Sequence, residues 1–263
     1  FIGMVGYDNI TDKAQPTTPV QQEQQKTSKH EKSAAMALFT SLLPPKEEWP
    51  SPVHKFYLAF NMDEVIDPIR QNPNWTSLDA MSRDIPQALI AIEDHAFYNH
   101  GAIAVEGILR ATLANINAGE VVQGGSTLTQ QFVKNVFLSH EQSMERKIEE
   151  AVLSLMLEDN YSKDEILELY LNTTYFGAGS TGIKQASKTY FGKAPSALTL
   201  AEAAVIASLP YAPTGLNPLE NPEGCKKRQL LVLAAMHKYG MINQGQLAEA
   251  KAEKIRLTNG TVM

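Results

Sequence analysis

Helix-start signals recur along this chain, and they limit its fold more than any other feature. Ser139 with Gln142, Ser162 with Glu165 and Thr199 with Glu202 each set a hydroxyl residue three positions ahead of an acid or amide, just before an apolar run. In such a box the hydroxyl accepts from the third helical N–H while that residue's side chain accepts from the cap's own N–H. Two donors that a helix start would otherwise leave orphaned are satisfied. Leu89, Ile92 and Phe97 predict a further helix, capped by Asp84 with Pro86 in its first turn. Ile108, Leu109, Leu113 and Ile116 predict one over 105–118. After the break at Gly124-Gly125, Ser126 or Thr127 caps a helix through Phe137, and the Ser139 box opens one to about Asn160. Helices are also expected over 222–239, stopped by Gly240, and over 243–254. Only His54 to Phe60 alternates as a short strand would. The expectation is a mainly helical domain from about residue 80 to 255.

Composition supports a folded core. The 263 residues are 43% hydrophobic and 20% charged, with a net charge of −6, which argues against a nucleic-acid partner. The single cysteine, Cys225, excludes an internal disulfide framework and a cysteine zinc cage. No apolar run reaches the length needed to cross a bilayer as a helix. The chain begins at Phe1 rather than Met, which reads as a processed or truncated product. An upstream membrane anchor is therefore allowed, with Phe1 to Val5 either its tail or a loose terminus. Residues 8–33 are rich in Gln, Thr, Lys and Pro and too poor in apolar groups to offset ordering entropy. The division expected is a mobile membrane-proximal linker over 1–45, a lead-in segment over 46–84, the main domain over 85–255 and a tail over 256–263.

Several motifs can carry chemistry. Glu93-Asp94 follows the apolar run Ala88 to Ile92, which sets Glu93 at the edge of the core. Partial burial there raises a carboxyl pKa toward the range useful for proton transfer; a solvated helix-end acid is the plainer reading. His95 and His100 are five apart and complete no zinc spacing. Gly124-Gly125 ahead of a capped helix leaves N–H groups free for an anion or a sugar hydroxyl, with Ser126, Thr127, Gln130, Gln131, Lys134 and Asn135 beside them. Arg146, Lys147 and Glu150 share one helix face and suit a phosphate-bearing ligand, or else form an exposed salt-bridged surface. Asn172 ends the helix begun at Lys163, where its amide can cap or reach a ligand. Glycines 177, 179, 182 and 192 allow tight turns.

In this order the motifs resemble the glycosyltransferase domain of bacterial peptidoglycan synthases, glycosyltransferase family 51. Glu93 to His100, Gly124 to Asn135, Arg146 to Glu150, Lys163 to Asn172 and Gly177 to Lys193 match its successive signatures. The resemblance implies a lysozyme-like, two-lobed helical domain, with a small apolar subdomain around Ile103 to Val122 that faces the membrane. It implies an inverting transferase that polymerises lipid II and releases undecaprenyl pyrophosphate at the extracytoplasmic face of a bacterial membrane. Catalytic roles fall by similarity on Glu93, as general base, and Glu150. Ser126, Thr127, Gln130, Gln131, Lys134, Asn135, Arg146, Lys147 and Asn172 fall on substrate. Mg²⁺ or Mn²⁺ would sit at Glu150, with Asp94 a weaker ligand, and no organic cofactor is implied. The implied partners are lipid II, the growing strand, the membrane surface and other cell-wall synthesis proteins; phosphoglycolipids of the moenomycin type would inhibit. Where the family has Gly and Asp after the motif His, this chain has Ala102 and Ala104. That departure keeps two rivals in view, a lysozyme-like glycan-cleaving enzyme and a degenerate lipid II-binding module. No Ser-x-x-Lys of a transpeptidase occurs, so a monofunctional transferase or one domain of a longer protein is expected.

Overall fold

The structure, a computed structural model, describes residues 57–58, 60–104, 125–138 and 143–263. Two compact units are distinguished, 1–57 and 58–263, and of the first only Tyr57 is among the described residues. The expected linker over 1–45 and most of the expected apolar subdomain, including the helix over 105–118, lie outside the described residues.

The second unit is helical. Its helices are α1 (Asp63–Arg70), α2 (Asp84–Glu93), α3 (Leu128–Phe137), α4 (Met144–Asn160), α5 (Lys163–Thr173), α6 (Ile183–Phe191), α7 (Leu200–Ser208), α8 (Pro222–Lys238) and α9 (Gln244–Ala252). Among the described residues, β structure is confined to two isolated bridges, Tyr175–Thr181 and Arg256–Val262. The mainly α expectation holds.

Local capping accounts for most of the helix starts. Complete boxes form at Thr127/Gln130, Ser162/Glu165, Thr199/Glu202 and Asn243/Gln246. The Ser139 box does not start α4. Its cap is Ser143, whose hydroxyl accepts from the Arg146 N–H at 3.1 Å, and 139–142 lie outside the described residues. Asp84 is the first residue of α2 rather than its cap; Arg83 holds that position without a side-chain bond. The strand expected over 54–60 is also corrected, because Tyr57, Leu58 and Phe60 are helical. A four- to seven-residue alternation is too short to outweigh packing.

The core is built around α7. Ala201 to Ser208 are all buried, and the helix packs on α2 and α8. The small side chains of Ala201, Ala203, Ala204 and Ala207 let these neighbours approach closely. Its buried Glu202 is paired with Lys193 Nζ at 2.7 and 2.9 Å, so no bare charge is enclosed. A second group joins α3 to α4 and α5, and α5 is buried along Ile166, Leu167, Leu169, Tyr170 and Leu171. Met62, Ile66 and Met81 from the lead-in enter the same core, and so do Ile255 and Leu257 near the C-terminus. The core therefore does not break at residue 85 or at 255.

Gly177 fixes the turn between α5 and α6. Its φ is +86°, and a Cβ there would meet the Pro213 carbonyl oxygen at 2.3 Å. Gly177→Ala should destabilise the protein by about 2 kcal/mol or more, from left-handed strain plus the backbone clash. A melting temperature lower by at least about 4 °C is the expected reading; an unchanged value would mean that the turn yields freely.

Candidate active site

The site grows from the end of α2. Ile85, Ala88, Leu89, Ile90 and Ala91 lock that helix into the core, so its last residue, Glu93, is delivered half-buried at the core's edge. Gln131 Nε2 of α3 donates to Glu93 Oε2 at 3.1 Å. The Gln131 carbonyl is oriented in turn by the fully buried Tyr170 of α5, whose OH donates to Oε1 at 3.0 Å. Burial is the main influence on Glu93 and raises its pKa, and the Asp94 charge adds to this. The Gln131 bond and the charges of Arg228 and Lys134 oppose it without reversing it. Burial and the nearby Glu93 also hold the Tyr170 phenol well above its ordinary value, so it remains a donor.

The neighbouring acid has a different task. Asp94 Oδ2 accepts from the Leu128 N–H at 3.0 Å, at the first residue of α3, and Oδ1 faces His100 Nε2 at 2.6 Å. Asp94 thus clamps the start of α3 against the end of α2, as an acid at a helix N-terminus does. Thr127 completes the clamp, its hydroxyl donating to the Ala102 carbonyl at 2.7 Å. That contact uses Ala102 backbone, which any residue there supplies. His95 stacks on Tyr239 with ring centroids 4.2 Å apart.

The second carboxylate stands on α4. Glu150 is buried, and its Oε1 accepts from Lys147 Nζ and, at 3.1 Å, from Gln130 Nε2. Lys147 Nζ also donates to Ser126 Oγ at 3.2 Å. Gln130 and Gln131 are consecutive, and each serves a different acid. The N-terminal turn of α3 therefore ties Glu93 and Glu150 into one hydrogen-bonded unit. Beside it, Arg146 Nε is buried without a partner among the described residues. An orphaned cationic donor next to a lysine suits an anionic ligand that would complete its bonds.

The other residues named from sequence are placed less directly. Lys134 and Asn135 are exposed on α3, and Lys134 is close enough to Glu93 to act on its charge. The Asn172 amide is committed to the fold: Oδ1 accepts from the Thr76 N–H at 2.9 Å, and Nδ2 donates to the Thr76 and Glu168 carbonyls, both at 2.8 Å. With both donors used, it holds the Thr76 loop against α5. Gly125 is described and Gly124 is not.

Sequence reasoning missed two contributors. Tyr170 reads as core from its spacing, yet its hydroxyl orients Gln131. Arg228 of α8 acts on Glu93 and stacks over Tyr211, 4.2 Å from the ring centroid. Only its place in the basic run Lys226-Lys227-Arg228 marks it in the sequence.

The site offers single carboxylates, which suits an ion that takes most of its oxygens from phosphate and water. Among the described residues no three His, Cys, Asp or Glu side chains converge on one point. Both Asp94 oxygens have protein partners, and Glu150 is shared with a lysine.

The transglycosylase family description matches residues 62–237. The chain is 40% identical over 194 residues to a Cupriavidus necator protein named provisionally as a transglycosylase, covering 74% of this chain and 84% of that one. It is 44% identical over 185 residues to penicillin-binding protein 1A of Neisseria flavescens, covering 70% of this chain and 23% of the relative. The crystal structure of penicillin-binding protein 1A from Haemophilus influenzae matches with 33% identity and a TM-score of 0.35, over 50% of this chain and 16% of that one. The chain thus spans about a quarter of the length of the penicillin-binding proteins it matches. It belongs to the transglycosylase family, the peptidoglycan glycosyltransferases of glycosyltransferase family 51.

Proposed function

We propose that the chain polymerises lipid II into glycan strands by an inverting transfer that releases undecaprenyl pyrophosphate. One observation supports this above the others: two carboxylates in opposite states of charge management are bound to consecutive glutamines of α3. Glu93 has a raised pKa and no bonded cation among the contacts described, which suits a group that must take up a proton. Glu150 is neutralised by Lys147, which suits a group that holds a cation in place.

The reaction uses them in turn. The 4-hydroxyl of the acceptor sugar loses its proton to Glu93 as its oxygen attacks the donor's anomeric carbon. The bond from that carbon to the pyrophosphate oxygen breaks, and the pyrophosphate leaves with the electron pair. Attack from the face opposite the leaving group inverts the centre. The charge appearing on the leaving oxygen is met by Lys147, Arg146 and Lys134. Ser126 helps to aim Lys147. Glu150 would be the carboxylate to hold a divalent ion, which would add its charge at the pyrophosphate, and no step is assigned to it.

The substrate's polyprenyl tail places this chemistry at a membrane surface. Among the described residues no helix is long and apolar enough to cross a membrane. The test is incubation with lipid II in detergent. Longer glycan and free undecaprenyl pyrophosphate are expected. Shortening of preformed glycan without lipid consumption would favour the lysozyme-like reading, and lipid II binding with no turnover the degenerate module.

A further inference from the structure

On the other side of α5 lies a pocket of about 190 Å³ that the proposed chemistry does not use. Tyr170 and Asn172 are two residues apart on that helix, so they point about 200° apart. Tyr170 reaches toward Glu93 through Gln131, whereas Asn172 lines the pocket. Trp75, Asn72, Asn74, Thr181 and Gln185 line it together with Ile69, Asn172 and Thr173. It is therefore a separate place, across a helix from the catalytic acid.

Three features define what fits. First, the rim is held in advance. The Thr76 backbone is bonded both ways to Asn172, at 2.9 and 2.8 Å, and Lys184 Nζ donates to the Pro73 carbonyl at 3.0 Å. Second, open amide groups face the space. Asn72 spends its oxygen on the Asn74 N–H at 2.8 Å and Gln185 its oxygen on the Thr181 N–H at 3.2 Å, which leaves both NH₂ groups without a partner among the described residues. The Asn74 side chain, which also lines the space, likewise has none among them. Third, none of the eight lining residues is charged, in a chain that is 20% charged. Lys184 at the rim is turned to the Pro73 carbonyl, and no cation lines the space itself to receive a peptide's carboxylates.

We infer that this pocket is a second glycan subsite that takes one neutral, acetamido-bearing sugar ring of a strand. The less polar face of a pyranose packs on an aromatic plane such as Trp75 while its hydroxyl and acetamido groups bond to side-chain amides. The volume lies below the roughly 300–1,000 Å³ of pockets that enclose a drug-sized ligand, so one ring enters and the strand continues outside. The ligand class rests on the reading of the chain as a maker of glycan strands; the test needs no turnover and so stands apart from it.

The chain has two tryptophans, Trp49 and Trp75. In full-length protein carrying Trp49→Phe, a β-1,4-linked tetramer of N-acetylglucosamine should shift the Trp75 fluorescence and its indole N–H resonance saturably. Asn74→Ala and Gln185→Ala should each weaken this binding about fivefold, the worth of one hydrogen bond, with the melting temperature unchanged in Asn74→Ala. Glu93→Gln should leave it intact. Failure of the tetramer to move the Trp75 resonance, equal affinity in both amide variants, or a response to a stem pentapeptide instead of the sugar would each overturn the assignment. Loss of polymerisation with Trp75 binding preserved, or the reverse, shows which of the two readings has failed.

Discussion

Glu93→Gln should lower polymerisation by about 10²- to 10⁴-fold, the usual contribution of a positioned general base, and should raise the melting temperature at pH 7. The first effect follows from the chemistry, because an amide cannot take the acceptor proton. The second follows from the direction of the pKa shift. Burial raises the Glu93 carboxyl above its ordinary value, so the folded protein favours the neutral acid. The stability this gives is fully present below about pH 4.3, the value of an exposed glutamate, and is lost as pH rises through the raised folded value. Glutamine never ionises and escapes that loss. The gap between variant and parent melting temperatures should open as pH climbs from about 4.3 and close below it. Near-normal turnover in the variant would remove the base assignment. A variant less stable at pH 7 would show that the Gln131 bond and the Arg228 and Lys134 charges outweigh burial.

The same direction predicts the acid limb of the rate profile. The base works only when ionised, so turnover should fall with decreasing pH at a higher pH than an exposed glutamate would allow. Tyr170→Phe leaves Gln131 free to turn and should weaken turnover, without removing the limb.

How much of this was legible in the sequence depends on range. Thr127, Ser162, Thr199 and Asn243 cap their helices with groups three residues away, and such signals are fully written in a short window. Ser139 and Ser143 show where that window fails. Both can cap, a cap is worth about 1 kcal/mol, and nothing within the window ranks one above the other. The acids and cations of the site were also readable as residue types, but their pairing was not. Nothing local distinguishes Gln130 from Gln131, yet one binds Glu150 and the other Glu93. Asn172 reads equally well as a ligand contact and as a strut, and the strut role depends on the distant Thr76 backbone, which no local window contains. Arg228 acts on the Glu93 charge because α8 packs on α2, a contact between segments far apart in the chain.

Glu150→Gln separates two ways in which the second acid can act. Glu150 is 2% exposed, whereas the Lys147 side chain that bonds to it is 46% exposed. Removing the acid's charge therefore frees an ammonium that can turn to water, and the stability cost should be small compared with that of a wholly enclosed pair. The cost should appear in turnover instead. Lys147 is held by Glu150 on one side and by Ser126 on the other. With Glu150 neutral that hold is loosened, and the lysine no longer stands ready where pyrophosphate charge develops. A fall of about 10²-fold is expected, the scale for losing one preorganised donor to a developing anion. Lys147→Ala should cost a similar amount. If Glu150 acts through Lys147, the double variant should be no slower than the slower single one, because the second change removes what is already lost. Multiplying defects would mean that Glu150 meets the substrate itself, and the acid would then join Glu93 among the groups that touch the reacting atoms.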